Sequence, residues 1–181
     1  EETFDWSPYF KDPRNHVTYA NLFYLSGEKR TYDFSRAVNT DPTILISKDL
    51  GSTWSFGGKL LTGERLGYVN GYAKYASNGV DRIDFVMTEH HPRDFNNSVY
   101  HGYVQGGKLH RTDGTVIDED VFDADAKPAT ELTKVFAAGS TFGGETMTRG
   151  WTVCLRLDSS GHPYGLVTCR ANDPDNKNFA D

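Results

Sequence analysis

The sequence predicts an all-β fold of short antiparallel strands, on three observations. Aromatic residues and glycines are abundant, with eleven Phe, ten Tyr, three Trp and eighteen Gly against two Met, the composition of aromatic strands joined by tight turns. Apolar runs are short and bounded by Gly, Asn, Asp and Pro, which punctuate strands. No stretch carries the period of a long amphipathic helix. With 181 residues the chain has enough length to bury the core of one ordinary domain.

Taken in order, residues 1–15 are rich in Asp, Pro and aromatics without a period and read as a loop that packs against something. VTYANLFYL, from Val17 to Leu25, is strand-like, the turn Ser26-Gly27-Glu28-Lys29 follows, and RTYDFSRA returns from Arg30, so the pair reads as a hairpin. TILIS, Thr43 to Ser47, suits a buried strand and leads through SKDLGSTW into WSFGGKLL. A second set of four follows: GYAKYAS from Gly71, RIDFVMTEHH from Arg82, SVYHGYVQ from Ser98 and KLHRTDGTVI from Lys108. After a polar connection over 118–133 come KVFAAG, WTVCLRL and YGLVTCRA, a third set without its last strand.

SKDLGSTW, at 47–54, organises the first set. Asp49 can accept hydrogen bonds from a tight turn, Gly51 supplies a permissive φ, and Trp54 leaves the turn as an apolar anchor. The stretch fits Ser-x-Asp-x-Gly-x-Thr-Trp throughout and resembles the Asp box of sialidase-type BNR repeats, which joins the third and fourth strands of β-propeller blades. Thr112-Asp113-Gly114-Thr115 resembles a degenerate turn of the same kind. The resemblance implies antiparallel four-stranded blades of a β-propeller: a first blade over 16–61, a second over 68–117 and an incomplete third over 133–172. Propellers close rings of about four to eight blades, so two and a half blades read as a fragment of a longer propeller. The rival is a β-sandwich of the same hairpins stacked as two sheets.

The net charge of −6 argues against nucleic acid, which demands a basic stripe. A polyanionic substrate requires the site to be locally basic. No run approaches the roughly twenty apolar residues of a membrane-spanning helix, and EETFDWSPYF has no signal-peptide pattern.

VTYANLFYLSGEKRTYDFSRA, GYAKYASNGVDRIDFVMTEHHPRDFNNSVYHGYVQGGKLHRTDGT and GWTVCLRLDSSGHPYGLVTCRAND together resemble propeller polysaccharide lyases of the ulvan lyase and rhamnose-glucuronate lyase type. That resemblance implies a secreted or periplasmic enzyme acting on an acidic, uronate-containing polysaccharide by β-elimination. Elimination removes the C5 proton of a uronate, which is acidic only when a cation neutralises the adjacent carboxylate. A base then takes the proton and an acid protonates the leaving oxygen, roles open to His or Tyr. In these lyases a Tyr and an Arg about one hairpin apart belong to the site, and the matching positions are Tyr19 and Arg36. A four-residue turn would set Tyr19 opposite Arg36 on one face, where the guanidinium favours the tyrosinate; a one-residue shift would separate them. The family's histidines from an earlier blade have no match here, so the chain is expected to hold part of a site and to turn over no substrate unaided.

His91, Arg93 and Tyr100 are candidates to line the propeller mouth, and Tyr75 on the inner strand of the second blade is a further candidate sugar contact. His90, His91, His101 and His110 crowd neighbouring strands, but adjacent His90 and His91 point to opposite faces, and no ligand set is specific enough to name a cofactor or metal, although a structural calcium or zinc is compatible with the family. Asp49, Gly51 and Trp54 are assigned to structure. Cys154 and Cys169 flank one turn, either as a local disulfide or as two thiols. A sialidase-like hydrolase and a non-catalytic glycan- or protein-binding propeller are the other functional classes. The partners expected are an acidic polysaccharide and the remainder of the propeller, or another chain, over open blade edges.

Overall fold

The computed structural model describes residues 4–67 and 70–171. Their strands form three antiparallel sheets. The first has the order β1 (Thr18–Leu25), β2 (Arg30–Arg36), β3 (Pro42–Ser47) and β4 (Ser55–Lys59). The second runs β5 (Ala73–Ser77), β6 (Arg82–Thr88), β7 (Val99–Gln105), β8 (Lys108–Arg111) and β9 (Val116–Asp118). β10 (Thr133–Phe136) joins this sheet beside the first half of β7, whose second half pairs with β8. The third consists of β11 (Ser140–Phe142), β12 (Glu145–Leu157) and β13 (Pro163–Ala171).

Two expectations change. The strand expected from Lys108 through Ile117 is broken at the 112–115 turn, where the Thr115 N–H donates to Asp113 Oδ1 at 3.0 Å and the chain folds back as β9. KVFAAG contributes β10 to the second sheet rather than to the third, because Phe136 packs with Val99 and Leu155 in the core between them.

The middle sheet is covered on both faces. Ile83, Phe85, Met87, Tyr100 and Val104 meet Tyr32, Phe34, Ile44 and Leu60 of the first layer. Val86 and Val99, at alternate positions of the same strands, pack with Leu155 of the third. This explains why β6 and β7 are buried almost end to end while β1 and β13 alternate or lie open: strands between two layers need no solvent-facing polar side. Burying a side chain such as Phe85 contributes about 1.5–3 kcal/mol. The stack is all-β, and is compatible with successive propeller blades and with a layered sandwich. Among the described residues, no helix is long and apolar enough to cross a membrane.

The 47–54 turn is held by its own side chains. Asp49 Oδ1 accepts from the Thr53 N–H at 2.9 Å and Oδ2 from the Thr53 hydroxyl at 2.7 Å. These bonds, the backbone one first, hold the Asp49 carboxyl down at about 2. Gly51, at φ 91°, occupies left-handed backbone against the Trp54 ring.

Candidate active site

β1 is irregular where it matters. From Leu25↔Arg30 the register runs evenly to Asn21↔Phe34, then shifts so that Thr18, not Tyr19, faces Arg36. The extra residue is a bulge, and Tyr19 takes φ 61° within it, an uncommon conformation for a large side chain. A polar clip holds it there. Asn21 Nδ2 donates to the Tyr19 and Phe34 carbonyls, and the Asn21 N–H donates to Asp33 Oδ1 at 3.0 Å. Asp33, pushed up by burial and partly brought back by Ser35 and Asn21, is braced by the Ser35 hydroxyl at 3.0 Å.

The bulge turns Tyr19 back towards Arg36. The Arg36 guanidinium carbon lies 4.9 Å from the Tyr19 ring centre and 5.1 Å from that of Tyr72, within the range of cation–π attraction. Arg36 Nε donates to Thr18 Oγ1 at 3.2 Å. Its Nη1 is buried and makes no hydrogen bond among the described residues. A buried guanidinium donor left unpaired is costly, and an incoming carboxylate would satisfy it.

Tyr72 stands at the mouth of β5, where Gly71 presses against the Thr88 backbone. Its ring meets Tyr19 edge-on at 5.6 Å and stacks on Trp151 at 5.6 Å. Its hydroxyl lies 3.2 Å from His91 Nε2. The other His91 nitrogen, Nδ1, accepts from the Arg93 N–H at 3.1 Å, so neutral His91 carries its proton on Nε2 and donates it to the Tyr72 oxygen. His91 is held below the usual histidine range by burial, which outweighs Asp94; Arg93 and Arg36 push the same way as burial. Tyr72 is pushed up by burial and by the adjacent Tyr19, against Arg36.

Tyr19, Arg36, Tyr72, Lys74 and Trp151 wall a cavity of about 560 Å³, a volume in the range of small-ligand sites; His91, expected at the mouth, is buried behind Tyr72 and does not line it. Trp151 and Thr168 also line a neighbouring depression with Arg93, Arg149 and Arg170. A chain of negative net charge thus has a locally basic site.

The other expected residues fall as follows. Tyr75 lines the cavity floor, but its ring stacks on Phe34 at 4.8 Å and its hydroxyl is pushed up by burial; it is first a core residue. Tyr100 is not at the mouth: it is 2% exposed, and its hydroxyl, pushed up to about 12 by burial and by Glu89, donates to Glu89. It lies on the β7 face turned to the first sheet, so parity along the strand excludes it. Arg93 pairs with Asp94 Oδ1 at 3.1 Å and belongs to the neighbouring depression.

The histidines do not converge. His101 sits between Asp84 and Thr112, and His110 stacks on Tyr103. Cys154 and Cys169 are free. Cys154 faces Leu166 and Cys169 faces Gly150, which separates the two by on the order of 12 Å along the strands, beyond the roughly 7 Å limit of a disulfide.

Tyr72 and Trp151 were missed by sequence reasoning. The strand expected from Gly71 begins at Ala73, so Tyr72 precedes it and the strand pattern of GYAKYAS singles out Tyr75 instead. The Gly71-Tyr72 pair was the available signal. Nothing in WTVCLRL distinguishes Trp151 from a core residue.

No protein-family model and no curated protein sequence matches the chain. Solved structures do. A polysaccharide lyase described as a PL25 ulvan lyase superposes with a TM-score of 0.60 at 18% identity, over 84% of this chain and 37% of that one. The fold of this chain is similar to part of that lyase's fold. A second structure of that lyase, with the same scores, is bound to GlcA(1-4)Rha3S. This chain therefore spans little more than a third of the length of the lyase it resembles.

Proposed function

We propose that this chain carries part of the active site of a secreted or periplasmic polysaccharide lyase, which cleaves a uronate-containing acidic glycan by β-elimination. The observation that carries the reading is Arg36, set against two adjacent tyrosine rings on a cavity wall with a buried, unpaired Nη1. The likeness in fold to an ulvan lyase supports it.

Arg36 takes the uronate carboxylate and neutralises it, which acidifies the C5 proton. Tyr19, 57% exposed at the cavity edge and beside the guanidinium, takes that proton as the general base. Tyr72, kept protonated and with its oxygen engaged by His91, gives its proton to the leaving glycosidic oxygen. The C5 electron pair forms the C4–C5 double bond as the C4–O bond breaks, so no water is consumed. Two tyrosines in different surroundings thereby divide the base and acid roles. Trp151 offers a sugar face an apolar platform, and Arg93, Arg149 and Arg170 continue the basic path for neighbouring acidic units.

The rest of a propeller covers the outer faces of the stack, which expose Leu22 and Tyr24 at one end and Val153, Tyr164 and Leu166 at the other. An ultraviolet assay for unsaturated product on glucuronate polysaccharides tests the reading, using the longest natural form of the protein. Tyr19→Phe and Tyr72→Phe should each abolish most of the activity while Tyr100→Phe, a core change, retains it. Equal losses in all three, or full activity in Tyr19→Phe and Tyr72→Phe, would refute the assignment.

A further inference from the structure

Away from the cavity, the segment after β9 gathers carboxylates. Asp118, Asp123 and Asp125 each offer an oxygen within 4.8 Å of the others. Acidic loops often do this without a ligand, and the partners of these groups are therefore informative. Asp118 Oδ1 accepts from the Asp120 N–H at 3.0 Å, and Asp123 Oδ1 accepts from the Asp125 N–H at 2.9 Å. Asp125 Oδ2 is paired with the Lys127 ammonium, which also reaches the Asp125 carbonyl at 3.1 Å. Glu119 is turned away to Lys108, and Asp120 is engaged by the Phe122 N–H.

One oxygen is left over. Asp118 is 4% exposed, and its Oδ2 is buried with no hydrogen-bond partner among the described residues. Burying a carboxylate oxygen without donor or cation is among the least favourable arrangements in a protein. It is more so beside two further carboxylates, for which Lys127 supplies a single positive charge.

We propose that Asp118, Asp123 and Asp125 bind a calcium ion. The donors are all oxygen, which suits a hard cation and disfavours zinc or copper. They come from a turn-rich loop rather than from a rigid octahedral cage, which suits calcium better than magnesium. The ion completes the coordination of Asp118 Oδ2 and displaces Lys127 from Asp125.

The site's place in the fold gives it a consequence. The same loop is tied to the first layer by the Thr62 N–H on the Lys127 carbonyl at 3.0 Å, and to the second by the Val121 N–H on the Gly107 carbonyl at 2.9 Å. Val121 is buried in the core between these layers, and Phe122 stacks on Tyr32 at 6.2 Å. Calcium therefore fastens the first sheet to the second, the two sheets that carry Arg36 and Tyr72.

The test is calorimetric titration of the chelator-stripped protein with calcium chloride and with magnesium chloride, with melting curves in each. One calcium per chain is expected, bound more tightly than magnesium and raising the melting temperature. Asp123→Asn and Asp125→Asn, changes at exposed positions that leave the core intact, should weaken it about tenfold or more. Lys127→Ala should bind calcium at least as tightly as the parent. Absence of calcium heat and of any melting shift, or binding unchanged in both aspartate variants, would overturn the proposal. So would calcium binding that appears only in Lys127→Ala, since Lys127 would then be the cluster's own counter-ion.

Discussion

Arg36 lies over the ring of Tyr19 although the strand partner of Arg36 is Thr18. An even hairpin would have placed Tyr19 opposite Arg36, and a simple one-residue slip would have turned the two to opposite faces. The bulge does neither. It shifts the register by one and, by setting Tyr19 at positive φ, re-aims the ring to the same cavity. Bulges are characteristic of places where a strand must present a side chain out of its pleat.

The guanidinium of Arg36 is planar and lies within cation–π reach of two adjacent rings, Tyr19 and Tyr72, so a lysine is a poor substitute. Arg36→Lys is expected to lower elimination of a uronate glycan about a hundred- to a thousand-fold, close to the loss in Arg36→Ala. Initial rates by ultraviolet absorbance check this. Rates in Arg36→Lys near those of the parent would remove Arg36 from the carboxylate.

His91 couples the site to pH. The folded protein holds its proton less tightly than the unfolded chain, because burial opposes the charge. Its contribution to stability is therefore fully present above the ordinary histidine value of about 6.5, and is lost as pH falls from there towards the lowered folded value. Asp94 opposes this shift while Arg93 and Arg36 reinforce it. Melting temperatures should fall across that window, and less steeply in His91→Gln; an identical slope in the variant would exclude His91 as the source.

Gly71 sets the position of Tyr72. A Cβ there would stand 2.0 Å from the Thr88 carbonyl oxygen and 2.6 Å from Thr88 Oγ1, the hydroxyl that accepts the Tyr72 N–H at 2.9 Å. Gly71→Ala should cost about 1–3 kcal/mol and disturb Tyr72. Urea unfolding measures the first, and the activity of the folded fraction measures the second. An unchanged urea midpoint would show that the chain does not approach so closely.

The thiols provide a test of register. With Cys154 and Cys169 four β12 positions apart, two free thiols should titrate in denaturant without reductant. In the folded protein the exposed Cys169 should react before the half-buried Cys154, although burial of its sulfur pushes the Cys169 thiol up and slows it. A mass gain of two protons on reduction would contradict the pairing of β12 with β13.

Local pattern sufficed for much of this protein. The strands on either side of the first hairpin, its four-residue turn and the side-chain bonds of the 47–54 turn all depend on residues within a few positions of each other. Their period and turn chemistry are therefore visible in the chain. The likeness that pointed to Tyr19 and Arg36 rests on the same short range.

Tertiary structure decided the rest. Tyr72 and Trp151 join the site from two other sheets, and β10 leaves its neighbours in sequence to pair with β7. Tyr75 and Tyr100 became core because the middle sheet is covered on both faces, so that alternation no longer separates inside from outside. The buried oxygen of Asp118 depends on the same packing. Strand pattern reports which side of a sheet a residue takes, whereas the contents of a cavity between sheets depend on how the sheets stack, and that is set by contacts distant in sequence.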